Sequence, residues 1–422
     1  MADSILPSFL RPNKKSSLLV LALYTFIFSF LMPDAGSLWS DYGQILSKQS
    51  YLMTDFTAMG MAATFFNVAC HFVIAYILVY TNTRSRLNGL QVAAAGIFAG
   101  HALFGTHILN ILPIFYGVYL YSRWTGQSFG SLTTVSLFAT SAAPFISFWA
   151  IAPDLSWWSI ILAALIGTGV GFISAPLAEQ YLKFHQGFNL YNFGFAMGLI
   201  AMFGTISFRY FKLEAPSLSI LNQEYHGLLV LYLLGILLGL FGLAVFKRTE
   251  VKANYGKLLR RAGRTPDDFL AHFGFGTAAF NMALNGSLYL LLALALGVQL
   301  NGPILGGILG VMGFSAFGKH PRNCLPISAG ILLAALLLGQ DPAQSSVWVP
   351  ILFGTTLAPI AGHYGIIYGA VAGFLHYNVV SMVFSLHAGM SLYNNGFAGG
   401  FVAAFLVPIY DTLRSNHHAY DD

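Results

Sequence analysis

A chain of 422 residues that is 56% hydrophobic and only 8% charged is not an ordinary soluble domain, where about a quarter of residues carry charge. The formal charge of +5, spread along so apolar a chain, is read as loops facing anionic lipid, and no nucleic-acid partner is expected. The two cysteines, Cys70 and Cys324, lie in or beside apolar stretches; a disulfide framework is not expected, and no CxxC knuckle offers a metal site.

Residues 1–15 form a polar N-terminal stretch with Arg11, Lys14 and Lys15. Apolar segments close to the ~20 residues of a membrane span follow near 16–33, 56–80, 90–105, 108–122, 131–151, 157–178 and 187–207. The first is read as a retained helix, because no small-residue cleavage site follows Leu18–Leu31. These segments make one membrane unit, 16–208. A polar linker covers 209–225, a second unit 226–408, and 409–422 is a polar tail. Abundant Gly (44) and Phe (37) suit close helix contact and lipid-facing surface.

The second unit repeats the first. Asn88-Gly89 pairs with Asn301-Gly302. The run His107, Asn110, Leu112, Pro113, Ile114, Gly117 pairs with His320, Asn323, Leu325, Pro326, Ile327, Gly330. Gly126-Gln127 pairs with Gly339-Gln340 at the same offset, and Leu137 to Pro144 pairs with Leu352 to Pro359. His185, Gly187, Leu190, Tyr191, Asn192, Gly194, Phe195, Ala196 and Gly198 pair with His387, Gly389, Leu392, Tyr393, Asn394, Gly396, Phe397, Ala398 and Gly400. Asp55-Phe56 with Asp268-Phe269, and Phe66-Asn67 with Phe280-Asn281, extend the match upstream. Shared order and recurring Pro, His and Asn argue for duplication. An odd number of segments, about seven per unit, turns the second unit upside down. With the N-terminus placed inside, all of the 20 Lys and Arg except Lys48, Arg209 and Lys212 fall inside, Lys319 and Arg322 among them, as the positive-inside rule asks. The expected fold is an all-α polytopic membrane protein of two inverted-topology repeats. Some segments are expected to be re-entrant or broken half-helices, and both termini to lie on the cytoplasmic side of a cell (inner) membrane.

Two motifs carry candidate chemistry. In His-x-x-Asn-x-Leu-Pro-Ile, Pro113 and Pro326 free a backbone carbonyl inside an apolar segment, and His107 with Asn110, or His320 with Asn323, share a helix face. The same pattern also reads as a capped helix start. In Gly-x-x-Leu-Tyr-Asn-x-Gly-Phe-Ala-x-Gly, Gly187, Gly194 and Gly198 allow close packing, and so do Gly389, Gly396 and Gly400. Tyr191 and Asn192, with Tyr393 and Asn394, offer hydroxyls and amides to a polar solute; the amides equally serve as interhelical hydrogen bonds. Histidines are numerous in or near apolar segments (His71, His101, His107, His185, His272, His320, His363, His376, His387). The symmetric pairs His107/His320 and His185/His387 are candidates for solute or proton contact. No paired metal-ligand spacing occurs, and neither metal nor cofactor is expected.

Acidic residues near apolar segments are confined to Asp55, Glu179 and Asp268, at segment ends, which favours a neutral or anionic solute over a cation. No Walker sequence, dinucleotide fingerprint or nucleophile elbow is present, and an enzyme is not expected.

The whole chain resembles a family of bacterial multi-spanning membrane proteins of unknown function, through His185-Gln186-Gly187-Phe188-Asn189-Leu190-Tyr191-Asn192 and the Asn-x-Leu-Pro-Ile run. A weaker likeness, through Gly187, Tyr191, Asn192, Gly194, Gly198 and their repeats, is to urea transporters, and implies inverted halves with a pore between them. The usual Leu-Pro-x-x-Thr-x-Pro-Phe signature of those transporters is absent. The count of seven plus seven is similar to nucleobase and anion permeases. The function expected is passive or secondary transport of a small polar solute, neutral or anionic, bound between the repeats by Asn110, Asn323, Tyr191, Asn192, Tyr393 and Asn394. Replacing Asn192 and Asn394 by Leu is expected to abolish uptake while sparing folding. Alternatives are a proton- or ion-coupled carrier using the paired histidines, a membrane scaffold or sensor, and an intramembrane enzyme. The partners are the bilayer and the solute, and a homo-oligomer is compatible with the sequence.

Overall fold

Several helix starts in this chain are set by side chains that satisfy the free N–H groups of a first turn. The computed structural model describes residues 16–48, 50, 54–82, 87–214 and 219–418, the side chains of 81, 82 and 415–418 excepted. The N-terminal cations Arg11, Lys14 and Lys15, and Arg84 and Arg86, lie outside these residues. A first series comprises α1 (Ser16–Phe30), α2 (Leu38–Ser47), α3 (Met61–Asn82), α4 (Gly89–His101), α5 (Ile108–Thr125), α6 (Thr133–Ala139), α7 (Ala143–Ile151), α8 (Trp157–Phe184) and α9 (Asn192–Phe211). A second comprises α10 (His226–Phe246), α11 (Arg248–Leu258), α12 (Phe269–Phe273), α13 (Phe275–Ala295), α14 (Gly302–Phe314), α15 (Pro321–Leu337), α16 (Ser345–Phe353), α17 (Ala358–Tyr364), α18 (Ile366–His387) and α19 (Asn394–His418).

The two series follow the same order, a short 3-10 turn at Phe56–Ala58 standing where α12 stands. Asn88 and Asn301 cap α4 and α14 through Gln91 N and Ile304 N. Asp34 caps α3 through Met61 N and Ala62 N, and Glu250 caps α13 through Gly276 N and Thr277 N. The stretches 34–54 and 247–267, which read as polar loops in the sequence, therefore hold α2 and α11, short helices that follow the first span of each series. The α1 axis bends by 102° into the following helical stretch.

Among the described residues, nine helices are long and apolar enough to cross a membrane. Their outer faces carry exposed large apolar side chains such as Leu23, Leu165, Leu238 and Ile367, a surface that hydrocarbon accepts and water does not. The protein is thus an all-helical, multi-pass membrane protein. The remaining segments read from the sequence are also helical: α1, α4, α5, α14 and α15. The last two are apolar but short.

Small residues bring helices into backbone contact. Where α15 crosses α18, a methyl on Gly330 would lie 1.9 Å from the Ala370 carbonyl oxygen; where α5 crosses α8, one on Gly117 would lie 2.0 Å from that of Thr168. Gly330→Ala is expected to force these backbones apart and destabilise the protein by about 3 kcal/mol, read as a lower thermal midpoint in detergent; an unchanged midpoint contradicts this packing.

The prolines do not break the membrane helices as the sequence suggested. Pro113 and Pro326 lie inside α5 and α15. Each sits six positions into its helix, so the carbonyls it frees belong to the first turns, at Leu109 and Arg322, whose residues are exposed. The breaks come just before, at 102–107 and 315–320.

Contacts between the series are reciprocal. Asp55 accepts from Gly302 N at the start of α14 (3.2 Å), and Asp268 accepts from Gly89 N at the start of α4 (3.0 Å). Leu190 N donates to Thr356 O (3.0 Å), and Leu392 N to Ser141 O (2.9 Å). α9 meets α19 at Gly194 and Gly396, where a methyl on Gly396 would lie 2.9 Å from Gly194 Cα.

Candidate functional site

The paired amides come first, because they build the turns on which other side chains sit. Asn323 accepts from His320 N (2.9 Å) and donates to Gly318 O (2.8 Å). Asn110 accepts from His107 N (2.9 Å) and donates to Gly105 O and Ser147 Oγ (both 2.9 Å). Each brackets the break ahead of its helix. Asn281 closes the same loop from α13, donating to Ser315 O (2.8 Å) and Lys319 O (2.7 Å).

In the second motif, Asn192 binds His185 Nε2 (2.9 Å) and donates to Ala178 O (2.7 Å). Asn394 binds His387 Nε2 (2.9 Å) and donates to Val380 O (3.1 Å). These amides pin the starts of α9 and α19 to α8 and α18. Gly187 and Gly389 take left-handed conformations (φ 78° and 76°) in the intervening turns, which glycine adopts without strain.

All four asparagines thus use both faces of the amide inside the protein, and His107 and His320 hydrogen-bond Ser147 Oγ (3.3 Å) and Arg261 O (2.9 Å). Their placement favours helix capping and interhelical clamping over direct solute contact. Asn394→Leu would leave buried His387 Nε2 unpartnered and remove the tie to Val380 O of α18, and is expected to destabilise the fold by about 2 kcal/mol, where the sequence led us to expect lost uptake with folding spared. A thermal midpoint equal to wild type would reject this role.

The tyrosines behave differently. Tyr191 and Tyr393, carried to the tips of the two pinned turns, meet with ring centroids 5.4 Å apart. Around them the rings alternate between series: Tyr191 lies 4.7 Å from Phe314, and Tyr393 4.9 Å from His101, at the position equivalent to Phe314. Phe353 and Phe138 complete the cluster, 6.3 Å from Tyr191 and 6.4 Å from Tyr393.

Into this cluster runs Lys319, which the sequence placed with the inside loop charges. The loop between α14 and α15 is only six residues long (315–320), and Asn281 and Asn323 hold it so that the side chain turns inward. Lys319 is 0% exposed. Its ammonium donates to Tyr191 Oη and Thr355 Oγ1, both at 2.7 Å, and lies 4.3 Å from the centroid of the Tyr191 ring. Among the described residues, the ion pairs are Arg261 and His272 with Asp267; no carboxylate pairs with Lys319. Of its three N–H donors, two are engaged by hydroxyls.

One cavity reaches this centre and another opens beside the start of α15. The first, of about 200 Å³, is mostly apolar and reaches both Tyr191 and Tyr393. The other, of about 350 Å³, is lined by Arg260, Arg261, Arg322, His320, Asn323 and His363, with no acidic residue in its wall. Its Arg261 pairs with Asp267, whose carboxylate holds the guanidinium proton more tightly than usual.

A family model described as "Protein of unknown function (DUF1576)" matches residues 35–209 and 247–412. The chain belongs to this family. The two matched stretches fall one in each helical series. No curated protein and no solved structure matches the chain, and the likeness to urea transporters finds no counterpart in these comparisons.

Lys319 and Thr355 are site residues that sequence reasoning passed over; His101 stood among the histidines of the apolar segments without being singled out. One signal could have found the first: immediately before the paired His107 and His320, the units differ, Thr106 against Lys319.

Proposed function

We propose that this family member is a passive or secondary transporter of a small anion, which passes between the two series at Lys319 and the tyrosine pair. One observation carries the reading: a fully buried ammonium with hydroxyl and ring partners but no carboxylate. Burying an unpaired charge costs several kcal/mol, and ionisable groups at membrane depth mark solute paths more often than packing. The third N–H of Lys319, which no hydrogen bond engages among the described residues, is a donor suited to an anion. The cavity beside α15, where Arg260 and Arg322 have no carboxylate partner among the described residues, would concentrate anions at one mouth.

The reciprocal contacts of Asp55 and Asp268, and of Leu190 and Leu392, support an inverted two-fold relation between the units, with the anion site near its axis. The charge distribution supports a cell-membrane location with both termini cytoplasmic. A proton relay through the paired histidines draws less support, because His185 and His387 are held by amides.

The test is uptake into proteoliposomes of chloride, nitrate and formate beside urea and glycerol. The reading expects at least one monoanion to enter faster than into empty liposomes. Entry of the neutral solutes alone, or of nothing, rejects it.

A further inference from the structure

Three pieces of the second unit enclose the cavity of about 350 Å³: the link that follows α11, the start of α15 and the turn from α17 into α18. Direct contacts hold them together. His320 Nε2 bonds Arg261 O (2.9 Å), and a methyl on Gly362 would lie 2.1 Å from Ala262 O. The volume falls in the range of about 300–1,000 Å³ usual for small-molecule sites. In the wall, Arg261 is paired with Asp267 (3.0 Å). Arg260 and Arg322 also line the cavity, and among the described residues no ion pair or side-chain hydrogen bond engages either. Two further arginines stand behind the wall. Arg264 lies over the Phe188 ring (4.4 Å), which stacks on Tyr364 (5.4 Å), and Arg414 donates to His363 O (3.2 Å). Among the described residues, the carboxylates that touch this wall are Asp267 and Asp411, which accepts from Tyr364 Oη (2.6 Å).

The surroundings of the cavity match the level of lipid headgroups. Ile366 and Ile367, 66% and 77% exposed, open α18, a helix long and apolar enough to cross the membrane. Tyr364 and Tyr368 both pack on Tyr410 (centroids 5.3 and 4.7 Å apart), and tyrosines collect where membrane meets water. The fold does not require the charge: Arg322 stands where the first unit has the exposed Leu109. An arginine fork meets two phosphate oxygens at once, and basic pockets between membrane helices take phospholipid headgroups. We propose that this cavity is a binding site for a phosphate group, gripped by Arg260 and Arg322 and supplied by a phospholipid headgroup or by free phosphate. The site stands apart from the transport reading. Neither Lys319 nor the tyrosine pair lines the cavity, and binding is read without uptake.

The experiment uses the full-length protein in detergent, stripped of lipid, and follows the thermal midpoint against three probes. These are dioleoyl-phosphatidylglycerol in mixed micelles, inorganic phosphate, and dioleoylglycerol, which has the same tails without the phosphate. Wild type is expected to gain midpoint with at least one phosphate probe and not with dioleoylglycerol. A gain with the phospholipid alone assigns the headgroup as source; a gain with inorganic phosphate assigns the free anion. R260Q/R322Q is expected to need at least about 10-fold more probe for the same gain, because two charge-assisted contacts are lost. K252Q/K257Q, which removes two exposed charges of α11 outside the cavity, is expected to match wild type. Should R260Q/R322Q fail to fold, Arg322→Leu takes its place, with an expected shift of at least about 3-fold. The inference is overturned by a wild type that responds to neither phosphate probe, or equally to dioleoylglycerol. It is overturned also by arginine variants that keep the wild-type curve, or by K252Q/K257Q weakening binding as much as the arginine variants, the mark of diffuse attraction with no site.

Discussion

Lys319→Met is expected to lower anion uptake in proteoliposomes by at least about 100-fold, the equivalent of roughly 3 kcal/mol of charge-assisted hydrogen bonding, while leaving the thermal midpoint unchanged or raised. The two effects have one cause. The ammonium is buried among Tyr191, Thr355 and Phe314, and methionine fills similar volume without a charge to desolvate. Replacing buried ionic groups by apolar ones of like size is often neutral or stabilising. Lys319→Arg keeps the charge, but its planar fork does not reproduce the two bonds a point ammonium makes to Tyr191 and Thr355, so partial uptake is expected. A variant that unfolds, rather than one that is stable and inactive, would mean that Lys319 is structural. Full uptake by a stable Lys319→Met would remove the residue from the path.

Asp55→Ala is expected to destabilise the protein by about 3 kcal/mol. The Asp55 carboxylate is 0% exposed and gathers Thr57 N and Oγ1, Asn222 N and Gly302 N. It thereby ties the link between the series to the start of α14, where its negative charge also faces a helix N-terminus. Asp268 does the same for α4 through Gly89 N, with a second bond to Ala271 N. No side chain larger than glycine fits either helix start: a methyl on Gly302 would lie 2.4 Å from Asp55 Oδ1, and one on Gly89 2.1 Å from Ala316 O. Asp268→Ala is expected to cost a similar amount, and the double variant the sum of the two, since the caps serve different helices. Thermal midpoints of the three variants check this; an Asp55→Ala protein as stable as wild type would contradict it.

Much of the fold was legible because membrane helices advertise themselves by length and apolarity, and a duplicated chain states its plan twice. The amides and glycines of the paired motifs were found for the same reason. Their roles were not. Asn110, Asn192, Asn323 and Asn394 read as solute ligands, yet each is consumed by a backbone carbonyl and a histidine residue. An amide that clamps two helices and one that greets a solute have the same sequence signature. Lys319 was hidden by its neighbours: between Gly318 and His320, with Arg322 nearby, it looks like one more loop cation. Only the inward turn of a six-residue connection separates it from Arg322, which is exposed. Sequence hydropathy also missed α2 and α11, whose polar residues match a helix lying outside the apolar core.

The most direct test of an anion at the crossing of the two units is a crystal soaked in bromide and measured at the bromine absorption edge. The structure leads us to expect an anomalous peak within hydrogen-bonding distance of Lys319 Nζ and Tyr191 Oη. Bromide found only beside the exposed Arg260 and Arg322, with nothing at Lys319, would contradict it.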